Sequence, residues 1–416
     1  MFAQKCNQWD GIHLEKCKFC SETKYRSYPM EYHLHDCDVV INSTGTGTLG
    51  RVGLFATSEL GQYGFKSIVP DSHVTIVRTP NETLNRFIFQ YLRTDLMWKW
   101  MNEIADGSTK QKELYTSTLA ALLIPIPPIH EQVRIMRKIE KLMPLVEEYG
   151  KMEETRVQLD ADLPASLEKS ILQEAIQGKL VPQDPNDEPA SELLKRVAAE
   201  RKALVKAGKL KRDKGESVIF RGSDRLAYET RDGETVCIQD EIPFDIPDSW
   251  EWVRLGDMSN YGQCTSVDTA DIAPDTWSLD LEEIEKGTGR LIECKTVAEK
   301  KSKSCKHVFT KGTLLYSKLR TYLNKVLVAD MDGVCTSEIV PIELQGGISA
   351  EYIRLVLMSP YFLEYTASKG YGIKMPRVGT DDMKQSLIPL PPLDEQNRIV
   401  KQVEELKATT RTLTTF

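Results

Sequence analysis

The sequence has no run of the ~18 apolar residues that a membrane-spanning helix needs, and no membrane association is expected. Its first ten residues, MFAQKCNQWD, lack a basic stretch followed by an apolar one. No secretory leader is therefore expected, and a cytoplasmic location is. Positive charge is not in excess: 54 Lys and Arg stand against 61 Asp and Glu, a formal net charge of −7. That excludes a chain uniformly coated with positive charge but leaves room for local basic patches. Nine cysteines, an odd number spread unevenly, do not make a disulfide framework. Cys17-x-x-Cys20 has zinc-ligand spacing, and Cys6, His33, His35 and Cys37 lie near it. No clean second pair completes the set, so free thiols and no metal are expected, with a zinc module as the lesser alternative. There is no Walker A sequence, no N-P-P-[YF] or D-P-P-Y, and no E-x-K within 40 residues after Pro70-Asp71. His130-Glu131 is followed at position 134 by Arg, not by the His of a zinc protease. A non-catalytic chain is expected.

What the sequence does have is a repeat. LLIPIPPIHEQVRIMRKI at 122–139 matches LIPLPPLDEQNRIVKQV at 387–403. Pro125, Pro127 and Pro128 correspond to Pro389, Pro391 and Pro392; Glu131, Gln132, Arg134 and Ile135 correspond to Glu395, Gln396, Arg398 and Ile399. The motif is a helix-start signal. Paired prolines hold the backbone extended and forbid helix before them. Asp394 is expected as the N-cap of the second copy, and His130 holds that place in the first. Val133, Met136, Ile139, Met143 and Val146 then recur at spacings of 4, 3, 4 and 3, the seam of a coiled coil or long packed helix.

Similar segments precede each copy. FIFQYLRTDLMWKWMNEIADGSTKQKEL and AEYIRLVLMSPYFLEYTASKGYGIKMPRV each suggest an amphipathic helix followed by a glycine-containing loop. Further upstream, CDVVINSTGTGTLGRVGLFA parallels KGTLLYSKLRTYLNKVLVA, a strand, a polar or basic loop and a second strand. The expected fold class is α+β: two α/β units in a pseudo-two-fold repeat, separated by long antiparallel coiled-coil helices. The expected divisions are 1–128, a spacer helix region 129–178, a connector 179–241, 242–392, and a C-terminal helix 393–416. The first long helix is placed at about 130–160, with Pro164 starting another and Gly178 ending it. In the connector, a helix over 189–207 is expected to stop at Gly208, and strands over 217–239 to turn at Asp232-Gly233. The opening of the first unit is shorter than its sibling's by about 25 residues, so an N-terminally shortened first unit is expected.

The stretches IPIPPIHEQVRI, SILQEAIQGKLVPQDPNDEPASELL, IPFDIPDSWEWVRLGD and IPLPPLDEQNRI together resemble the specificity subunit of Type I restriction–modification systems. The resemblance covers essentially the whole chain. It implies two target recognition domains, each reading half of a bipartite double-stranded DNA sequence, held apart by two antiparallel helices. It also implies that methyltransferase subunits carrying S-adenosylmethionine dock on this scaffold. A restriction/translocase subunit using ATP and Mg joins them, and the specificity subunit itself binds no cofactor. A duplicated unit facing two half-sites agrees with this independently of the resemblance. A first helix of about 31 residues would span roughly 46 Å, enough to separate half-sites one DNA turn apart. A coiled-coil scaffold that has lost DNA recognition is the alternative.

Candidate DNA contacts follow from charge and loop chemistry. Residues 300–329 carry eight Lys or Arg (300, 301, 303, 306, 311, 318, 320 and 325) and no acid, a candidate phosphate footprint. Within it SKLRTY offers Ser317, Lys318, Arg320, Thr321 and Tyr322. KGYGIKMPR offers Lys369, Tyr371, Lys374 and Arg377. In the first unit the glycine-rich NSTGTGTLGRVG lacks the end of a P-loop, and Ser43, Thr44, Thr46, Thr48 and Arg51 are expected beside DNA. Ser108, Lys110, Gln111 and Lys112 of GSTKQK are the counterpart of KGYGIK. Trp250 and Trp252 are expected in the core.

Overall fold

The structure, a computed structural model, describes residues 1–45, 47–108, 111–211, 217–300 and 304–413, without the side chains of Ser108, Gln111 and 411–413. The chain divides into two compact units, Met1–Arg156 and Val157–Phe416.

The first unit opens with 3-10 turns and α1 (Glu22–Arg26). Its sheet has β1 (Val39–Asn42) between β2 (Val52–Leu54) and β3 (Val74–Val77), all antiparallel. VVIN lacks polar alternation because β1 is covered on both faces. Val39 faces Leu54 and Val77, and Ile41 faces Val52 and Thr75. Two helices follow, α2 (Glu82–Leu92) and α3 (Asp95–Ile104), where the sequence suggested one. The break is a new cap: the Thr94 hydroxyl accepts the Met97 N–H, as Asn81 accepts those of Thr83 and Leu84 for α2. Ile88, Leu92, Met97 and Met101 pack against Val39 and Ile41. Each such buried side chain contributes about 2 kcal/mol. β4 (Asp106–Ser108) and β5 (Gln111–Glu113) form a hairpin, then come α4 (Thr116–Ala120) and α5 (Ile129–Ile176).

The second unit contains the connector: α6 (Ala190–Lys206), followed by the meander β6 (Ser217–Arg221), β7 (Ala227–Arg231) and β8 (Glu234–Cys237). Gly178 and Gly208 end their helices at φ +70, and Asp232 and Gly233 both have positive φ in the hairpin turn, as expected. Next are β9 (Glu251–Arg254), α7 (Leu255–Met258), β10 (Ser266–Val267), β11 (Trp277–Leu279), β12 (Lys295–Thr296), α8 (Val297–Lys300) and β13 (Lys306–Phe309). β14 (Leu314–Ser317), β15 (Val326–Val328), β16 (Gly333–Cys335) and β17 (Ile339–Ile342) complete two sheets. α9 (Ala350–Met358), α10 (Pro360–Lys369), α11 (Thr380–Gln385), β18 (Leu387–Leu390) and α12 (Leu393–Leu413) follow.

The order β15-β14-β17 repeats β2-β1-β3 in the same register. Leu314 faces Val328 and Ile342 as Val39 faces Leu54 and Val77. Ser359 and Pro360 break α9 from α10 as Thr94 breaks α2 from α3. The repeat seen in the sequence is therefore a repeat of sheet, helix pair and long helix. The five-stranded sheet β10-β13-β16-β11-β12 and the pair β9-β18 have no counterpart among the described residues of the first unit.

Two helix expectations are corrected. α5 is one helix of 48 residues through Pro164, so the figures of about 31 residues and 46 Å fall. Burial of Leu172, Ala175 and Ile176 in the second unit's core holds the turns beyond Pro164. Packing thus outweighs one lost hydrogen bond. The long helices begin at Ile129 and Leu393, so neither His130 nor Asp394 is the cap. The shared glutamine closes the start instead: Gln132 Nε2 donates to the Pro127 carbonyl at 2.8 Å, and Gln396 Nε2 to that of Pro391 at 3.0 Å. No helix among the described residues is long and apolar enough to cross a membrane.

Candidate nucleic-acid interface

In the second unit β14 ends at Ser317 and the chain turns through Lys318–Asn324 into β15. Arg320 and Asn324 both sit at φ 51, a left-handed conformation that asparagine accepts and arginine adopts at a cost. The segment 371–378 holds this turn. The Arg320 N–H donates to the Pro376 carbonyl at 2.7 Å, and the Val378 N–H to that of Lys318 at 3.2 Å. Leu319 pairs with Arg377, and Tyr371 and Arg377 exchange two backbone bonds of 2.9 Å. The two loops singled out in the sequence are therefore one surface. Tyr322, Lys369, Tyr371 and Lys374 are exposed on it, and Lys318, Arg320 and Thr321 are half-buried.

Several expected contacts are corrected. Ser317 is buried, and its hydroxyl donates to the Leu319 carbonyl at 2.9 Å. Arg377 is not a free cation: its guanidinium lies 2.8 Å from the Glu338 carboxylate, which the pairing holds below its usual pKa. The phosphate footprint shrinks as well. Lys300 pairs with Glu283 at 2.6 Å and Asp280 at 3.1 Å, and the buried Lys306 pairs with Asp280 at 2.9 Å. Lys325 Nζ donates to the Leu281 carbonyl at 2.6 Å. The fold places these acids beside the basic run, although they lie well outside it in sequence. Lys301 and Lys303 lie outside the described residues. Among the described residues of the run, Lys311, Lys318 and Arg320 are left for an external anion.

The first unit repeats the meeting of loops. Thr44 pairs with Glu113, the Gly45 N–H donates to the Lys112 carbonyl at 3.1 Å, and the Leu114 N–H to that of Ser43 at 2.7 Å. The glycine-rich loop and the β4-β5 hairpin thus come together as their counterparts do. Ser43 is buried, a further correction to the expected contacts. The Thr44 hydroxyl accepts from Gln4, and Thr48 Oγ1 donates to the Thr44 carbonyl. Arg51 donates to Gly47 and Gln8, and its guanidinium stands 5.6 Å over Trp9, which meets Trp98 edge-on at 6.0 Å. Thr46 and Lys110 lie outside the described residues, as do the side chains of Ser108 and Gln111. Glu338 and Trp9 carried no sequence signal, because each acts on a residue remote along the chain.

The two proline motifs differ in what covers them. In the second, Leu387–Leu390 is buried as β18 and pairs with β9. Glu395 accepts from Trp250 Nε1 at 3.0 Å and from Gln183, and burial raises its pKa. Arg398 grips Asp187. In the first, Leu123 is 90% and Ile126 62% exposed, and Glu131 and Arg134 are exposed. Trp250 and Trp252 are core residues, as expected.

At the cysteine-rich start, Cys6 Sγ lies 3.7 Å from Cys17 Sγ, and that contact lowers the Cys6 thiol to about 7. Among the described residues no group of three or more His, Cys, Asp or Glu could hold a metal.

The family described as Type I restriction modification DNA specificity domain matches residues 23–151 and 247–415. The chain is 25% identical over 357 residues to the Type I restriction enzyme EcoAI specificity subunit of Escherichia coli, covering 72% of this chain and 56% of that protein. It is 32% identical over 252 residues to the EcoEI specificity subunit of the same organism, covering 58% and 38%. The chain spans about half the length, or less, of these curated relatives. The solved HsdS subunit from Thermoanaerobacter tengcongensis aligns with a TM-score of 0.45 at 16% identity, covering 93% of this chain and 78% of that one.

Proposed function

Because the chain belongs to the Type I restriction modification DNA specificity domain family, we propose that it is the non-catalytic DNA-reading subunit of a Type I restriction–modification complex. Each unit reads one half of a bipartite double-stranded target. The observation that carries this is the duplicated meeting of loops, Thr44 with Glu113 and Leu319 with Arg377, each at the end of the central strand of an identically ordered sheet. Such a surface offers cations for phosphates and polar or aromatic side chains for base edges. In the second unit these are Lys318, Arg320, Thr321, Tyr322, Lys369, Tyr371 and Lys374. In the first they are Thr44, Thr48 and Arg51.

In this reading the long helices α5 and α12 serve as the spacer. Leu142, Leu145, Val146, Tyr149 and Met152 of α5 are exposed, an apolar surface suited to a protein partner. The methyltransferase subunits dock there and carry S-adenosylmethionine; the restriction subunit that joins them uses ATP and Mg. The test is a map of methylated bases across the host genome with the gene intact and deleted. A two-part motif whose methylation vanishes on deletion is expected. An unchanged methylation pattern overturns the reading.

A further inference from the structure

The turn Gly372–Pro376 ends in an apolar tip. Ile373 is fully exposed and Met375 half-exposed. A single exposed isoleucine needs no explanation, but this one has three unusual companions. First, its turn is held: Tyr371 and Arg377 close it with two backbone bonds, and Arg320 and Val378 tie its base to the 318–320 loop. Gly372, at φ +95, makes the tight bend that few other residues allow. Second, the setting is cationic: Lys369 and Lys374 are exposed, and residues 365–380 contain no acid, although Arg377 is paired with Glu338. Third, Tyr371 and Tyr322 are exposed on the two bonded loops.

We propose that Ile373 and Met375 form an apolar wedge that enters the DNA at a base step, with Lys369 and Lys374 on the flanking phosphates. This rests on the DNA reading proposed above. Apolar side chains inserted at a step partly unstack it and kink the duplex. Pyrimidine–purine steps yield most readily, so the wedge selects a sequence by deformability without hydrogen bonds to bases. The rigid base of the turn matters because a mobile tip would fold back from the stack when loaded. The charge around it favours DNA over an apolar protein groove.

The test uses the full chain with its methyltransferase subunits, selected on a randomised duplex library. The wild type is expected to enrich a pyrimidine–purine step in one half-site. In the Ile373→Ser, Met375→Ser double variant, enrichment at that step falls by about tenfold while the rest of the motif stands. 2-Aminopurine placed at the step brightens with the wild type and stays dark with the variant. Both side chains are exposed, so an unchanged thermal melt is expected to show that the fold is intact. An identical motif from the variant, or a dark aminopurine with the wild type, overturns the wedge and leaves the DNA reading standing. If the variant loses its methyltransferase subunits, the turn is a protein contact and the wedge falls. If the wild type enriches no motif, the wedge falls together with the DNA reading.

Discussion

Arg377 and Glu338 form a two-point ion pair, with Nη2 2.8 Å from Oε1 and Nε 3.1 Å from Oε2. The pair latches the 371–378 segment to the start of β17 and removes one cation from the exposed surface. Glu338→Gln is expected to lower stability only slightly, since the pair is largely screened by solvent. It should also steepen the log–log salt slope of non-specific DNA binding by about 0.9, as one more cation reaches a phosphate. An unchanged slope would show that Arg377 has no path to DNA. Arg377 depresses the Glu338 pKa, so the pair stabilises above the usual carboxylate range and that gain is lost as pH falls through it.

The basic run divides into structural and exposed lysines. Lys300 is nearly buried against Glu283 and Asp280. Lys300→Met should cost about 3 kcal/mol by leaving a buried carboxylate short of its partner, with the DNA salt slope unchanged. Lys318→Ala should do the reverse, leaving stability intact and making the slope shallower by about 0.9. Urea melts and salt titrations of the two variants check both.

Burial lifts the Asp257 carboxyl to about 6 against the pull of Arg201 and Arg231, and its Oδ2 is buried without a partner among the described residues. The folded pKa stands above the unfolded value of ~3.9, so the protonated form is favoured by folding. That contribution is whole below about pH 4 and is lost as pH rises through about 6. Asp257→Asn is expected to match the wild type near pH 4 and to exceed its stability by about 1–3 kcal/mol at pH 8. Urea denaturation at the two pH values decides it; equal stability at pH 8 refutes the prediction.

The exposed and buried copies of the proline motif should respond oppositely to the same change. Leu123→Ser, at a position open to solvent, should shift stability by less than about 0.5 kcal/mol. Leu387→Ser, at the matching position in buried β18, should cost at least about 3 kcal/mol through a cavity and an added hydroxyl. Equal losses in thermal melts would show that Leu123 is covered in solution.

The length of α5 is proposed to set the half-site spacing. Four residues inserted between Ile139 and Lys151 add about 6 Å of helix, nearly two base pairs. Methylation mapping of the insertion strain should show a correspondingly longer spacer, and an unchanged one would refute the link.

The sequence by itself determined the repeat, the starts of the two long helices to within one residue, the stops at Gly178 and Gly208, and the turn at Asp232-Gly233. These rest on proline and glycine dihedrals and on apolar spacing, which act over a few residues and so are written locally. It also singled out four loops as candidate DNA contacts, and the fold joins them in pairs. Tertiary structure alone decided that Ser43 and Ser317 are inside, that Lys300, Lys306 and Arg377 are neutralised, and that α5 continues through Pro164. The reason is reach. A charge or a hydroxyl takes its role from whatever lies beside it in space, and Asp280, Glu283 and Glu338 arrive there only when the strands between them pair.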